Sequence, residues 1–299
     1  MRVLVTGWFS FVNGEATAGD LLAMEVVCGW LSNAQVPYDV ALSPVLGGGV
    51  DWEAVPTETY PHVLFVCGPA RGWQLESLRD RFAASTLTLI DVSMFGESHT
   101  LADTAFERDG ARGGRPDLAI ASASERIPFV PVVRGHAQPE YGDLDGGSDA
   151  SSVIDGALER HRLATVAVDT RVDPRLPGSR DTAEVEEVLA RADAVLTSRL
   201  HGLVLALKHG VPALAIDPVH GGGKVLAQAR TLDWPYALTL DAASPSAVDE
   251  LLGRCLHPAT RGLAADCRDH AVSAVADLEP EVLDALGVRP QRARPSGPG

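Results

Sequence analysis

The sequence predicts a parallel α/β protein built as two doubly wound, Rossmann-like lobes, and two observations carry that prediction. Short apolar runs alternate with amphipathic helical patterns along most of the 299 residues, which requires a parallel sheet covered by helices on both faces. A stretch rich in Gly, Pro, Asp and Ser, residues 135–150, interrupts the alternation near mid-chain, after which it resumes. The chain is long enough for two units of ordinary size.

Arg2 to Thr6 reads as a buried strand entering a glycine-containing turn, and Gly19 to Ser32 follows with apolar positions at helical spacing. His62 to Cys67, Leu87 to Val92 and Leu118 to Ala121 read as further strands, with a helix over Gln74 to Ala84 between the first two. These elements make a first lobe over residues 1–128. Phe129 to Arg134 opens the second lobe, residues 129–288, with 135–150 expected as a loop or linker where the lobes meet. Strands are expected at Thr165–Asp169, Ala194–Leu196, Pro212–Asp217 and Tyr236–Leu240, alternating with helices at Thr182–Ala192, Arg199–His209, Lys224–Leu232 and Pro245–Leu256. Helices continue from about Pro258 to Gly287. Residues 289–299, rich in Pro and Arg, read as a disordered tail. In such sheets ligands bind outside the carboxyl ends of the strands, so a cleft there is the expected site.

The formal net charge of −15 argues against a nucleic-acid partner, because phosphate backbones are bound chiefly through Lys and Arg. An anionic ligand must therefore be held by a local cluster. Lys208 and Lys224 are the only lysines. No segment approaches the length of a membrane span, and the first ten residues are too short for a signal-peptide core, so a cytoplasmic location is expected. The four cysteines form no CxxC pair and are expected as reduced thiols. Cys255, His257, Cys267 and His270 match no common zinc spacing, and Asp143, Asp145 and Asp149 miss that of a calcium loop, so no metal is expected.

Thr197 to Gly202, "TSRLHG", follows an apolar strand and opens a strongly apolar helix. Ser198 suits the N-cap, Arg199 offers a bidentate grip and His201 a titratable proton, while free amides at a helix N-terminus attract phosphate or carboxylate. A cation against the positive end of a helix dipole costs stability unless something negative is bound. The next loop, Asp217 to Val225, places Gly222, Gly223 and Lys224 at the same edge of the sheet, as backbone donors and a point charge. It lacks the Walker A pattern. The opening loop, Gly7 to Asp20, reads as substrate-lining, with Asn13 and Asp20 as acceptor candidates. Arg134, His136 and Glu140 are further acceptor candidates in the mid-chain loop.

Asp193 to Pro218, with its strand, Arg-Leu-His-Gly, helix, Gly-Val-Pro and strand, resembles the core motif of the polysaccharide pyruvyl transferase family. Gly19-Asp20 resembles the end of that family's first loop, and Arg108-Asp109 with Asp117 its Arg-Asp segment and the Asp that follows. The serine usual after Arg-Asp is absent, with Gly110-Ala111-Arg112 in its place. The resemblance implies a GT-B-like pair of lobes and transfer of an enolpyruvyl unit from phosphoenolpyruvate to a sugar or glycan acceptor, giving a pyruvate ketal. It carries the donor site to Arg199, Leu200, His201 and Arg108, with His201 as general acid and base. No cofactor is implied beyond phosphoenolpyruvate as co-substrate, and a lipid-linked acceptor would bring the protein transiently to a membrane surface. Two alternatives stay open at this level: a nucleotide-sugar glycosyltransferase of the same architecture, and a non-catalytic binder of a phosphorylated metabolite or sugar.

Overall fold

The computed structural model describes residues 2–13, 16–95, 100–110, 114–123, 125–136 and 138–288. The chain divides into two compact units, Met1–Glu125 and Arg126–Gly299. The tail at 289–299 lies outside the described residues.

In the first unit, β1 (Val3–Gly7) is buried throughout, as befits a central strand covered on both faces. It leads to α1 (Ala18–Asn33), which starts on a reciprocal cap: Thr17 Oγ1 accepts the Asp20 N–H, and the Asp20 carboxylate accepts the Thr17 N–H. Then come β2 (Tyr38–Val40), β3 (His62–Val66), α2 (Trp73–Arg81), β4 (Thr86–Ser93) and β5 (Thr104–Asp109). All pair in parallel, in the order β2-β1-β3-β4-β5. Alternate side chains divide between the faces. Leu4, Phe65, Leu87 and Leu89 pack with Leu75 and Leu78 of α2, while Val3 and Val5 pack with Ala23 and Val27 of α1.

The second unit holds β6 (Val132–Val133), β7 (Val195–Thr197), β8 (Ala213–Asp217) and β9 (Ala237–Thr239), parallel and in that order. Its helices are α3 (Gly147–Arg160), α4 (Thr182–Ala190), α5 (Leu200–Lys208), α6 (Lys224–Thr231), α7 (Pro245–Leu256) and α8 (Thr260–Ala285). On one side of the sheet Val195, Ala213 and Ala215 pack with Leu203, Ala206 and Val225, and on the other Leu196, Leu214 and Ile216 pack with Ile154, Val248 and Leu252. Among the described residues no helix is long and apolar enough to cross a membrane.

Three expectations are corrected. Leu118–Ala121 is a 3-10 helix, not a strand, because Asp117 accepts the Ala119 N–H and Asp91 accepts the Leu118 N–H, closing a turn. Thr165–Asp169 is reduced to two bridges, Ala164 with Phe129 and Ala167 with Val132. Its Thr165, Val166 and Ala167 are exposed, and Val168 alone packs into the core, so it is held mainly there and by the pairing with the short strand β6. The described residues of 135–150, expected as a loop or linker, form a 3-10 helix (Pro139–Leu144) and the start of α3. The Gly146 N–H donates to the Pro218 carbonyl, tying this segment to the loop after β8.

The strand order decides where ligands belong. In the first unit the second strand lies outside the first, and the third lies on its other side. The bridged 164–167 segment does the same in the second unit, lying against β6 opposite β7. Each sheet therefore has a topological switch point at carboxyl ends, between β1 and β3 and between β6 and β7, where the connecting loops diverge and leave a crevice.

Candidate functional site

At the β6–β7 switch point, Thr197 ends β7 fully buried. Its Oγ1 accepts the Arg199 N–H at 2.9 Å and donates to the Arg199 carbonyl at 3.0 Å. That double tie makes Arg199 the N-cap of α5 in an extended conformation. Ser198, the expected cap, is instead buried with its hydroxyl accepting the Gly135 N–H at 2.9 Å, which joins the loops leaving β6 and β7. Among the described residues the amides of Leu200 and His201 donate to no partner, so the helix presents free N–H groups. Gly202 is required by packing: a Cβ there would lie 2.2 Å from Thr197 Oγ1 and 3.0 Å from Val133 Cβ.

A cavity of about 360 Å³ opens at this point. Ser198, Arg199, Leu200 and His201 line it from β7 and α5, His136 and Glu140 from the loop after β6, and Lys224 from α6. The structure thus brings together seven of the candidates named from sequence. It also adds Arg171 and Gln138. His201 is exposed, and Lys224 Nζ lies 5.8 Å from the Tyr141 ring centroid, a cation–π distance.

Asp169, at the end of the bridged segment, organises the cations. Its carboxylate accepts from Arg171 Nη2 at 2.7 Å and Nε at 2.9 Å, lies 3.2 Å from His136 Nε2, and meets Arg199 Nη1 at 3.4 Å. Burial acts to raise its pKa, but the Arg171 side chain and amide, together with His136, hold it down to about 2. This carboxylate compensates the guanidinium that sits at the positive end of α5.

Gly222 and Gly223 do not supply open amides. The buried Asp217 carboxylate accepts the N–H groups of Val219, Gly223 and Leu226 at 3.0, 2.8 and 2.7 Å, and the Gly222 N–H donates to the Val219 carbonyl. An internal anion already caps α6, so the glycines serve the turn and Lys224 is what this loop offers the cavity. Arg134 is also corrected: it faces α3, donating to the Ser151 carbonyl and to Asp155.

Arg108, Asn13 and Asp20 lie in the first unit, along a cavity of about 550 Å³ with Trp8, Cys67 and Asp117. Arg108 donates to Asp117 at 2.7 Å, to Ser93 Oγ at 2.9 Å and to Cys67 Sγ at 3.5 Å. Its charge is largely matched where it stands. Donor atoms of Cys67, Asp91 and Asp117 lie within 4.8 Å of one another, a grouping that would suit a cation, and the Arg108 guanidinium already meets two of them. Burial, then Asp20, pushes the Cys67 thiol up to about 12, and burial also raises Asp91.

The family model of polysaccharide pyruvyl transferase matches residues 77–220. The matched region spans β4 and β5, Arg108, the whole of α5 and the cavity residues from His136 to His201. A comparison with curated proteins finds no match. Among solved structures, a UDP-GlcNAc 2-epimerase of Methanocaldococcus jannaschii is similar at TM-score 0.32 and 8% identity, over 87% of this chain and 94% of that one. Spinosyn forosaminyltransferase is similar at TM-score 0.34 and 15% identity over 94% and 99% of the chains, and an E. coli heptosyltransferase at 0.28 and 14% over 85% and 100%.

Sequence reasoning missed Asp169, Arg171, Gln138, Trp8 and Cys67. For Asp169 a signal existed, since it closes an expected strand and carboxyl ends of strands are where ligands bind. Arg171 sits in an irregular loop and carried none.

Proposed function

We propose that the protein transfers a pyruvyl group from phosphoenolpyruvate to a sugar-containing acceptor, forming a pyruvate ketal and releasing phosphate. The observation that carries this reading is the cavity at the α5 N-terminus, where unpartnered amides of Leu200 and His201 meet Arg199, Arg171 and Lys224 in a chain of net charge −15. A compact trianion is the ligand such a local cluster suits, and the family match over residues 77–220, which takes in Arg171 and the α5 N-terminus, names a transfer chemistry that uses a pyruvyl group.

In this reading Arg199, Arg171 and Lys224 hold the phosphate and carboxylate, and the free amides face the phosphate oxygens. His201, exposed at the mouth of the helix, delivers a proton to the methylene carbon as a sugar hydroxyl attacks the neighbouring carbon. The proton lost by that hydroxyl returns to the imidazole. Phosphate then leaves, a second hydroxyl closes the ring, and its proton departs with the phosphate. The balance is one phosphoenolpyruvate and one diol giving one ketal and one phosphate.

Calorimetric titration of phosphoenolpyruvate into the full chain tests the donor assignment, with Arg199→Ala alongside and uridine diphosphate as competitor. Binding is expected to weaken at least about tenfold in the variant, the loss of a charge-assisted pair. No binding of phosphoenolpyruvate, or binding of the nucleotide in its place, overturns the reading.

A further inference from the structure

The second sheet ends in an open edge. Residues 163–168, Leu-Ala-Thr-Val-Ala-Val, run along β6 and are held to it by backbone bonds. The N–H groups of Ala164 and Val168 donate to the Pro128 and Val132 carbonyls, and the carbonyls of Ala164 and Val166 accept from Val130 and Val132. Along a strand, successive residues turn their backbone groups to opposite sides, so those of Thr165 and Ala167 point away from β6. Among the described residues the N–H and C=O groups of Thr165 and Ala167 have no hydrogen-bond partner. Thr165, Val166 and Ala167 are exposed, Val166 at 41%. A row of open N–H and C=O groups is a template for another strand, and folded proteins usually blunt it with charge or proline. Neither occurs between Leu163 and Val168, and Thr165, Val166 and Val168 are β-branched.

The pattern of free groups selects the partner. In an antiparallel pair centred on Val166, Thr165 of one copy lies opposite Ala167 of another, and each such pair exchanges its N–H and C=O groups. The two pairs satisfy every free backbone group of Thr165 and Ala167 in both copies. Val166 then meets Val166 of the second copy at the non-hydrogen-bonded position, where side chains approach most closely. Charge agrees with this direction. Antiparallel pairing brings Arg162, at the start of the segment, towards Asp169 at the end of the other copy, whereas parallel pairing sets like charges side by side. The uncharged run between them also keeps the chain's formal charge of −15 away from the contact. We infer that a second copy of this chain adds its own 163–168 segment antiparallel to this edge, making one continuous sheet across a two-fold axis. The inference stands on the edge of the second unit and is independent of the transfer reading.

Sedimentation velocity and amide exchange on the full chain, each over a range of concentrations, test this. Wild type is expected to run as a monomer at about 1 μM and mainly as a dimer at about 300 μM, the range of a small interface. At about fifty times the dissociation constant, where about a tenth of the chain is monomer, exchange at Thr165 and Ala167 is expected to slow about tenfold. Val166→Lys and Val166→Glu are each expected to stay monomeric over the same range, because like charges meet at the axis, and an equimolar mixture of the two is expected to dimerise. Recovery in the mixture separates lost pairing from lost fold. Ala167→Pro, which removes an outward N–H and leaves the bonds to β6, is expected to weaken the dimer at least about tenfold. A wild-type chain that is monomeric throughout, leaving the edge to an unlike strand, overturns the inference. So does a dimer that survives Val166→Lys and Ala167→Pro, with exchange at Thr165 and Ala167 independent of concentration.

Discussion

Asp169 holds Arg171 at 2.7 Å and Arg199 at 3.4 Å in the pocket read as an anion site. With its carboxyl held down to about 2, below the ordinary aspartate value of 3.8, its contribution to stability is complete above about pH 4 and is lost as pH falls through about 2. Across the neutral range it is therefore an anion competing with the ligand for the same guanidinium groups, and it also fixes where those groups point. Asp169→Asn separates the two effects. Removing a like charge beside the bound anion, in a pocket open enough for water to screen it, is expected to tighten phosphoenolpyruvate binding about 3–10-fold. Turnover is expected to fall, because Arg199 and Arg171 lose their common partner. Calorimetry gives the first quantity and phosphate release the second. Weaker binding with unchanged turnover would show that Asp169 does not compete for the cations.

At the scale of elements, the approach of α5 to β7 and β6 explains the glycine of Arg-Leu-His-Gly. Gly202→Ala would drive a methyl into the Thr197 hydroxyl that holds both backbone groups of Arg199. Overpacking of this kind costs about 1–3 kcal/mol, seen as a lowered denaturant midpoint. The shifted Arg199 is also expected to weaken phosphoenolpyruvate binding at least about tenfold, the scale of a lost charge-assisted bond. A variant with lowered stability and intact affinity would separate the packing from the grip. The elements around this contact were legible because β7 and α5 are apolar and strongly periodic. The cap was not: Thr197 and Ser198 both offer hydroxyls, and which one turns back on Arg199 depends on Gly135 from the loop after β6. The glycine loop misled because its amides were counted without Asp217, the acid that precedes them and takes three N–H groups. β5 hid behind consecutive charges at Glu107, Arg108 and Asp109, and β2, at three half-buried residues, was too short to show a period.

For the molecule as a whole, net charge and pocket charge have opposite signs, and the cations proposed to hold the donor all lie in one unit. Arg199, Arg171, Lys224 and His201 belong to Arg126–Gly299, which has its own parallel sheet with a core on each face. Arg108 belongs to the other unit, matched by Asp117. Residues 126–288 expressed alone are therefore expected to unfold cooperatively and to bind phosphoenolpyruvate within about threefold of the full chain, a difference below 1 kcal/mol. In the full chain Arg108→Ala is expected to change donor affinity by no more than that, because removing a cation whose charge is already matched changes the field on a ligand little. Circular dichroism and calorimetry on the fragment decide the matter. A folded fragment that has lost the donor, paired with a large loss in Arg108→Ala, would overturn the assignment of the donor to the second unit alone. A folded fragment that binds, with a silent Arg108→Ala, would leave Arg108 to the cavity of the first unit, where it is paired with Asp117.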